Sequence, residues 1–406
     1  MEVRRALLPT GGLRDSAAVS PLELFFDLVF VFALTQVTAT MAANLTVRGI
    51  VEGMMVVGLL WWSWTGYAWL GNLVRPDLGT VRLGMFAAMF TLFVLALAIP
   101  EAFADAPGGL HGPTVVAGCY FVFRLLHLYL FWAKAQGDTA LRGQILRFMP
   151  SMLVATALLL GAAATDGAPR TWLWGAALVA DYVGTYLGGS RGWRIRSASH
   201  FADRHGLIVI VAFGESIVAI GVGVAQLPIS WPIVAASLLG LTTCAALWWQ
   251  YFDATAPLAE RALAAAPDDK RAGLARDAYS FLHLPMIAGI ALLALGLKKV
   301  LEYVGEERLH NLSDPIPAIA GAALFGGVVL FLAAHVAFTV RTLGRANRAP
   351  LVVSALLVAS LPAAVVLPAL ASLALIAAAV VALVAFESVR HADERSEARR
   401  VVQEPA

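Results

Sequence analysis

Residues 20–44 read SPLELFFDLVFVFALTQVTATMAAN, a long apolar run interrupted by two carboxylates, Glu23 and Asp27. About 20 apolar residues suffice for a helix to cross the hydrocarbon core of a bilayer. Eleven further runs of this kind follow, at 48–71, 80–104, 113–134, 145–165, 171–190, 202–226, 231–253, 277–300, 316–341, 350–368 and 370–389. The 406 residues are 60% hydrophobic and 14% charged, with a mean hydropathy of +0.77. A water-soluble core cannot hide that much apolar surface, so the bilayer must act as solvent. The expected fold is all-α, a polytopic membrane protein of about 12 transmembrane helices, with little chain left for a soluble domain.

The basic residues orient it. With the N-terminus in the cytoplasm, 23 of the 29 Lys and Arg residues fall on the inner side, including Arg191, Arg194, Arg196 and Arg204. Arg48, Arg170, Lys298, Lys299 and Arg308 fall outside, and Arg124 lies within a span. This asymmetry predicts an N-in, C-in topology. The net charge of +2 therefore reports topology and gives no sign of a nucleic-acid surface. Glu23 and Asp27 interrupt the first run and no small-x-small cleavage site follows, so that run reads as a retained helix, not a secretory signal. Cys119 and Cys244 lie in different spans, which offers neither a disulfide framework nor a Cys metal cluster.

Sequence features recur at offsets of roughly 180 to 210 residues, with His205 to Val211 answering Phe25 to Phe32, Trp248-Trp249 answering Trp61-Trp62, and His335 answering His127. Six helices per half would make the two repeats parallel. The expected organisation is a cytoplasmic tail (1–19), a first six-helix half (20–190), a basic cytoplasmic linker (191–201), a second six-helix half (202–389) and a cytoplasmic tail (390–406). The tryptophans have an ordinary explanation as interface anchors. The segment 254–276 is expected to be an inner loop with a short surface helix.

Ionisable side chains inside spans are unfavourable in hydrocarbon and by default mark functional positions. At about 1.5 Å of rise per residue, Asp27, His127, His283 and His335 share one level near the cytoplasmic edge. That group is read as a proton relay, an ion vestibule, a metal site, or hydrogen-bonded helix contacts. Pro285 should kink the helix carrying His283. Arg124, Asp181 and Glu215 form a second level near the midplane, with Gln36 close by. Arg124 should pair with one of the two acids and leave the other spare. Gly206, Gly214, Gly221 and Gly223 on the span of Glu215, and Gly184 with Gly188, suggest close helix packing. The glycines around Glu215 would also permit local unwinding at a bound ion.

The runs Pro21-Leu22-Glu23-Leu24-Phe25-Phe26-Asp27-Leu28-Val29-Phe30-Val31 and His200-Phe201-Ala202-Asp203-Arg204-His205-Gly206, followed by Gly214-Glu215-Ser216, resemble the signature stretches of the bacterial low-temperature-requirement A (LtrA) family. The string from Trp248 to Asp253 fits as well. The resemblance implies a multi-pass protein of the bacterial inner (plasma) membrane, linked by family name to growth in the cold, and carries no biochemical activity with it. Phe25-Phe26-Asp27 is also similar to the Phe-Ser-Asp motif of a family of bacterial and lysosomal potassium channels, with Phe26 in place of Ser.

The residues and the duplication together predict passage of a small ion or solute between the two halves. The pathway candidates are Glu23, Asp27, Arg124, His127, Asp181, His205, Glu215, His283 and His335. A lipid-active membrane enzyme and a non-catalytic scaffold or sensor are the alternatives. No H-E-x-x-H motif is present. The expected partners are the lipid bilayer, a small ion or solute and a second copy of the chain, with no cofactor, no metal and no nucleic acid.

Overall fold

A computed structural model describes residues 19–74, 79–306 and 310–390. The expected tails lie, but for residues 19 and 390, outside the described residues. Every regular element described is helical, with no strand among the described residues. Helix α1 (Pro21–Ala43) starts in a capping box. The Ser20 hydroxyl accepts from the Glu23 N–H, and the Glu23 carboxylate accepts from the Ser20 N–H at 2.9 Å, which satisfies two orphan donors together. Helices α2 (Val47–Leu73), α5 (Thr139–Ala163), α7 (Ala198–Val224) and α8 (Trp231–Gln250) open on Thr46, Asp138, Ser197 and Ser230, each of whose side chains accepts from the first turn. Residues 79–187 also contain α3 (Gly79–Ala98), α4 (Gly112–Lys134) and α6 (Gly167–Leu187).

Among the described residues, nine helices are long and apolar enough to cross a membrane. The three expected spans outside that set differ in kind. Helices α2 and α6 run 27 and 21 residues but are diluted by tryptophans, tyrosines and polar groups. The expected span 350–368 is an 11-residue helix, α13 (Ala349–Ala359), followed by a 3₁₀ turn at Leu361–Val365.

Segment 254–276 is not a surface loop. Helix α8 passes through a π-turn at Tyr251–Thr255 into α9 (Ala256–Ala265), which buries Ala259 and Leu263 completely. The chain reverses at Ala266-Pro267 into α10 (Asp268–Leu274). A second π-segment, Ala275–Phe281, then delivers α11 (His283–Gly305). The irregularity expected at Pro285 thus falls one turn earlier, as a π-bulge that turns Tyr279 and Ser280 inward.

Helix α11 packs against α12 (Ala318–Leu343) backbone to backbone. A Cβ on Gly289 would stand 2.6 Å from the Gly327 carbonyl oxygen, and one on Gly327 would stand 2.6 Å from that of Gly289. Only glycine permits this approach. Gly184 acts likewise, since a Cβ there would lie 2.3 Å from that of Ser151 on α5, but Gly188 meets only its own helix. Helix α14 (Ala369–Arg390) completes the bundle beside α8.

Two expectations fail on burial. Trp61, Trp62 and Trp64 are core residues, so they are not interface anchors; Trp248 and Trp249 remain 40% and 39% exposed. Arg204 and Arg170, read as loop charges, are both buried. Arg170 is held by the carbonyls of Phe103, Ala162 and Thr165 and by Asp166.

Candidate functional site

Helices α1 and α7, the first of each expected half, lie side by side and run parallel, joined by polar rungs. At the N-terminal rung, His200 Nε2 lies 3.2 Å from Glu23 Oε2, while Asn72 Nδ2 stands 3.4 Å from His200 Nδ1. One turn on, Arg204 donates to both Asp27 oxygens, at 2.8 and 3.0 Å, and its Nε is 3.7 Å from Glu23. Trp64 Nε1 donates to the same Asp27 at 2.8 Å, with its ring 5.4 Å from the Arg204 guanidinium. Further along both helices, the Thr35 hydroxyl donates to Glu215. The partners are offset by 177, 177 and 180 residues, as two parallel helices in near-constant register require. Gly71 makes the first rung accessible to α2, because a Cβ there would fall 2.3 Å from Glu23 Oε1.

Glu215 differs from the other buried acids. Glu23, Asp27 and Asp181 each have a cationic or imidazole partner within 4 Å, whereas no ion pair to Glu215 occurs among the described residues. Thr35 and Thr38 lie beside it, and the Lys298 charge acts on it only from beyond ion-pair distance. Glu215 is 2% exposed. Helix packing does not explain its glycine neighbours, because a Cβ on Gly214 or on Gly221 would meet nothing within 4 Å. Gly223 alone of the four suggested glycines sits in a tight contact, against Leu301 and the Lys298 carbonyl, while a Cβ on Gly206 would meet Phe252 at an ordinary 3.4 Å.

Arg124 selects Asp181, at 3.2 Å, and Tyr120 donates to the same carboxylate. Glu215 is therefore not part of one midplane group with them; it belongs to the α1–α7 seam. Nor do the three imidazoles and Asp27 meet. His127 binds the Gly66 carbonyl at 3.0 Å, His283 accepts from Tyr251 at 2.8 Å, and His335 pairs with Thr255 at 3.0 Å. No three His, Cys, Asp or Glu side chains among the described residues are grouped so as to hold a metal ion. His205 is boxed by Trp64, Phe201, Tyr279 and His283 at ring separations of 4.5–5.3 Å, with its Nε2 unpartnered.

Arg124 and His127 instead border a cavity of about 50 Å³ walled by Trp62, Trp69, Phe148 and Trp193. Four polar atoms of its lining residues, Thr65 Oγ1, Arg124 Nε, His127 Nδ1 and Thr185 Oγ1, have no protein partner. That combination suits ordered water or a very small polar solute.

Sequence reasoning missed His200, Arg204, Trp64 and Tyr120. A signal for the first two was present. His200 and Arg204 are four residues apart at the start of α7, as Glu23 and Asp27 are at the start of α1.

These features define a multi-pass α-helical membrane protein with buried polar rungs between its helices. The chain belongs to the bacterial low temperature requirement A protein (LtrA) family, whose model matches residues 18–385. It is 29% identical over 333 residues to the uncharacterized protein RA0937 of Rhizobium meliloti (strain 1021), covering 79% of this chain and 76% of that protein. No solved structure matches it.

Proposed function

We propose that the chain moves a small cation, a proton included, or a solute coupled to one, across the bacterial inner membrane. The route would run along the seam between two parallel six-helix halves, with the N-terminus in the cytoplasm. Glu215 carries this reading: a carboxylate roughly 26 Å along α7, at 1.5 Å per residue, buried against hydroxyls with no ion pair among the described residues. Such a group gains most from taking up a proton or a cation, because an isolated buried charge is strongly unfavourable. Asp27, locked by Arg204 and Trp64, fits a gate or a fixed strut better than a binding site, in contrast to the role that the Phe-x-Asp similarity suggests.

The test is flux into proteoliposomes of purified protein under K⁺, Na⁺ and H⁺ gradients. Glu215→Gln should abolish a flux that the wild type shows, while its size-exclusion profile stays unchanged. The scaffold reading draws on the compensated pairs Asp27–Arg204 and Arg124–Asp181. It predicts that Glu215→Gln leaves behaviour unchanged or stabilises the bundle, and equal flux in variant and wild type would sink the transport reading.

A further inference from the structure

Glu215 is met by groups that can both donate and accept. Thr35 and Thr38, nearly one turn apart on α1, lie against it. A threonine hydroxyl has one hydrogen and two lone pairs, and the hydrogen rotates to whichever acceptor holds it best. Thr35 has two acceptors in reach, the Glu215 carboxylate and the Val31 carbonyl, the latter at 3.2 Å. Thr38 likewise reaches the Leu34 carbonyl at 3.1 Å. Both carbonyls belong to the preceding turn of α1 and accept from its backbone as well, so neither is orphaned when the hydroxyl turns away.

A metal cation asks for more. Hard cations take about six or more oxygen ligands, and transporters commonly supply them from the carbonyls of an unwound helix. Here α1 and α7 run unbroken past Thr35 and Glu215, so the unwinding expected around Gly214 and Gly221 does not occur and the carbonyls there stay engaged within their own helices. Two carboxylate oxygens and two hydroxyls are what the site offers, since Ser216 lies beside Cys244 on α8. Among the described residues, Lys298 on α11 is the charged group that acts on Glu215, and the other ionisable residues of α7 lie at position 205 or earlier. A proton needs one acceptor, and Thr35 is that acceptor. We propose that the species exchanged at Glu215 is a proton and that Thr35 is its switch, an inference that rests on passage along the α1–α7 seam. With Glu215 charged, the Thr35 O–H donates to the carboxylate. When H⁺ from water adds to that carboxylate, the new Glu215 O–H donates to Thr35 Oγ1, and the Thr35 hydrogen swings by rotation to the Val31 carbonyl. Neither state leaves the hydroxyl or the acid's proton unpaired.

Infrared pH-difference spectra of the full chain in lipid, with those of Glu215→Gln subtracted, read the carboxylic-acid C=O band of Glu215 directly. The band should be present at low pH, be lost as pH rises, and titrate with the same midpoint in sodium, potassium and choline chloride. Thr35→Val removes the acceptor and should shift the band to higher frequency, while Thr35→Ser should return it. A band that is absent or unchanging at every pH at which the protein stays monodisperse, or that Thr35→Val leaves unmoved, would overturn the proposal. A midpoint lowered by sodium or potassium relative to choline would overturn it too, and would assign the site to that cation. A band that titrates as expected in a protein showing no flux would support the proton switch and sink the transport reading alone.

Discussion

Removing the Asp27 charge tests the α1–α7 seam most directly. Asp27 accepts three hydrogen bonds, two from Arg204 and one from Trp64, and both members of the ion pair are buried. In Asp27→Asn the shape persists and the amide oxygen still accepts from Arg204, but the other guanidinium N–H then faces an amide N–H, and the only carboxylate left near Arg204 among the described residues is Glu23, 3.7 Å from its Nε. Breaking a buried pair from one side typically costs about 3–5 kcal/mol, mainly because the surviving charge is stranded. Arg204→Met should cost a similar amount. The double variant Asp27→Asn/Arg204→Met strands neither charge, so its loss should stay near that of one single variant, giving a coupling of about 3–5 kcal/mol. Equilibrium unfolding in mixed micelles with increasing SDS, followed by tryptophan fluorescence, measures all four proteins. A double variant whose loss equals the sum of the singles, or an Asp27→Asn protein as stable as the wild type, would refute the reasoning.

Gly289→Ala and Gly327→Ala should each prevent recovery of monodisperse protein on size exclusion, because the added methyl would stand 2.6 Å from a carbonyl oxygen of the facing helix. Gly214→Ala should instead be tolerated or raise stability by about 0.5–1 kcal/mol, since it removes a flexible residue from a helix where a Cβ meets nothing within 4 Å. Unfolding midpoints would separate the two kinds of glycine. Gly66→Ala would place a Cβ 2.9 Å from His127 Nε2; loss of the Gly66 carbonyl contact should appear as a shifted His127 resonance in a selectively labelled sample. Arg170→Lys should fail to rescue the loss caused by Arg170→Ala, because one ammonium cannot span carbonyls on Phe103, Ala162 and Thr165 as a planar guanidinium does. Comparable stability of the Lys variant and the wild type would show that only the charge matters.

The membrane character and the positions of the buried acids were legible from composition and periodicity alone. The partners of those acids were not, for identifiable reasons. Arg204 was counted with the inner basic loop because it follows Arg191, Arg194 and Arg196, yet helix α7 begins at Ala198 and carries it into the bundle. Hydropathy alone ranks α2 poorly because Trp61, Trp62, Ser63 and Trp64 lower its mean, although all four are core residues. The hairpin at Ala256–Leu274 read as a loop because its alanines and charges hide the burial of Ala259 and Leu263. Levelling by rise per residue speaks only to position along each helix axis. Depth does not say which way a helix turns its face, and each histidine faces a different neighbour.

Along the α1–α7 seam, compensation falls away with distance from the helix starts. The first two rungs carry two acids, one arginine and one histidine, knit together by Trp64 and Asn72. The rung at Thr35 carries an acid and hydroxyls only. A seam meant solely to fix helix register has no need of that last carboxylate, since the paired rungs already set the register and a neutral amide would fill the same space. Keeping an acid that has no ion pair among the described residues, with only the Lys298 charge acting on it from a distance, makes sense if its charge is balanced intermittently, by a proton or by a cation that arrives and leaves. The paired rungs then supply the rigid end against which such an exchange takes place, and Gly214, free of any packing duty, leaves α7 room to move beside it.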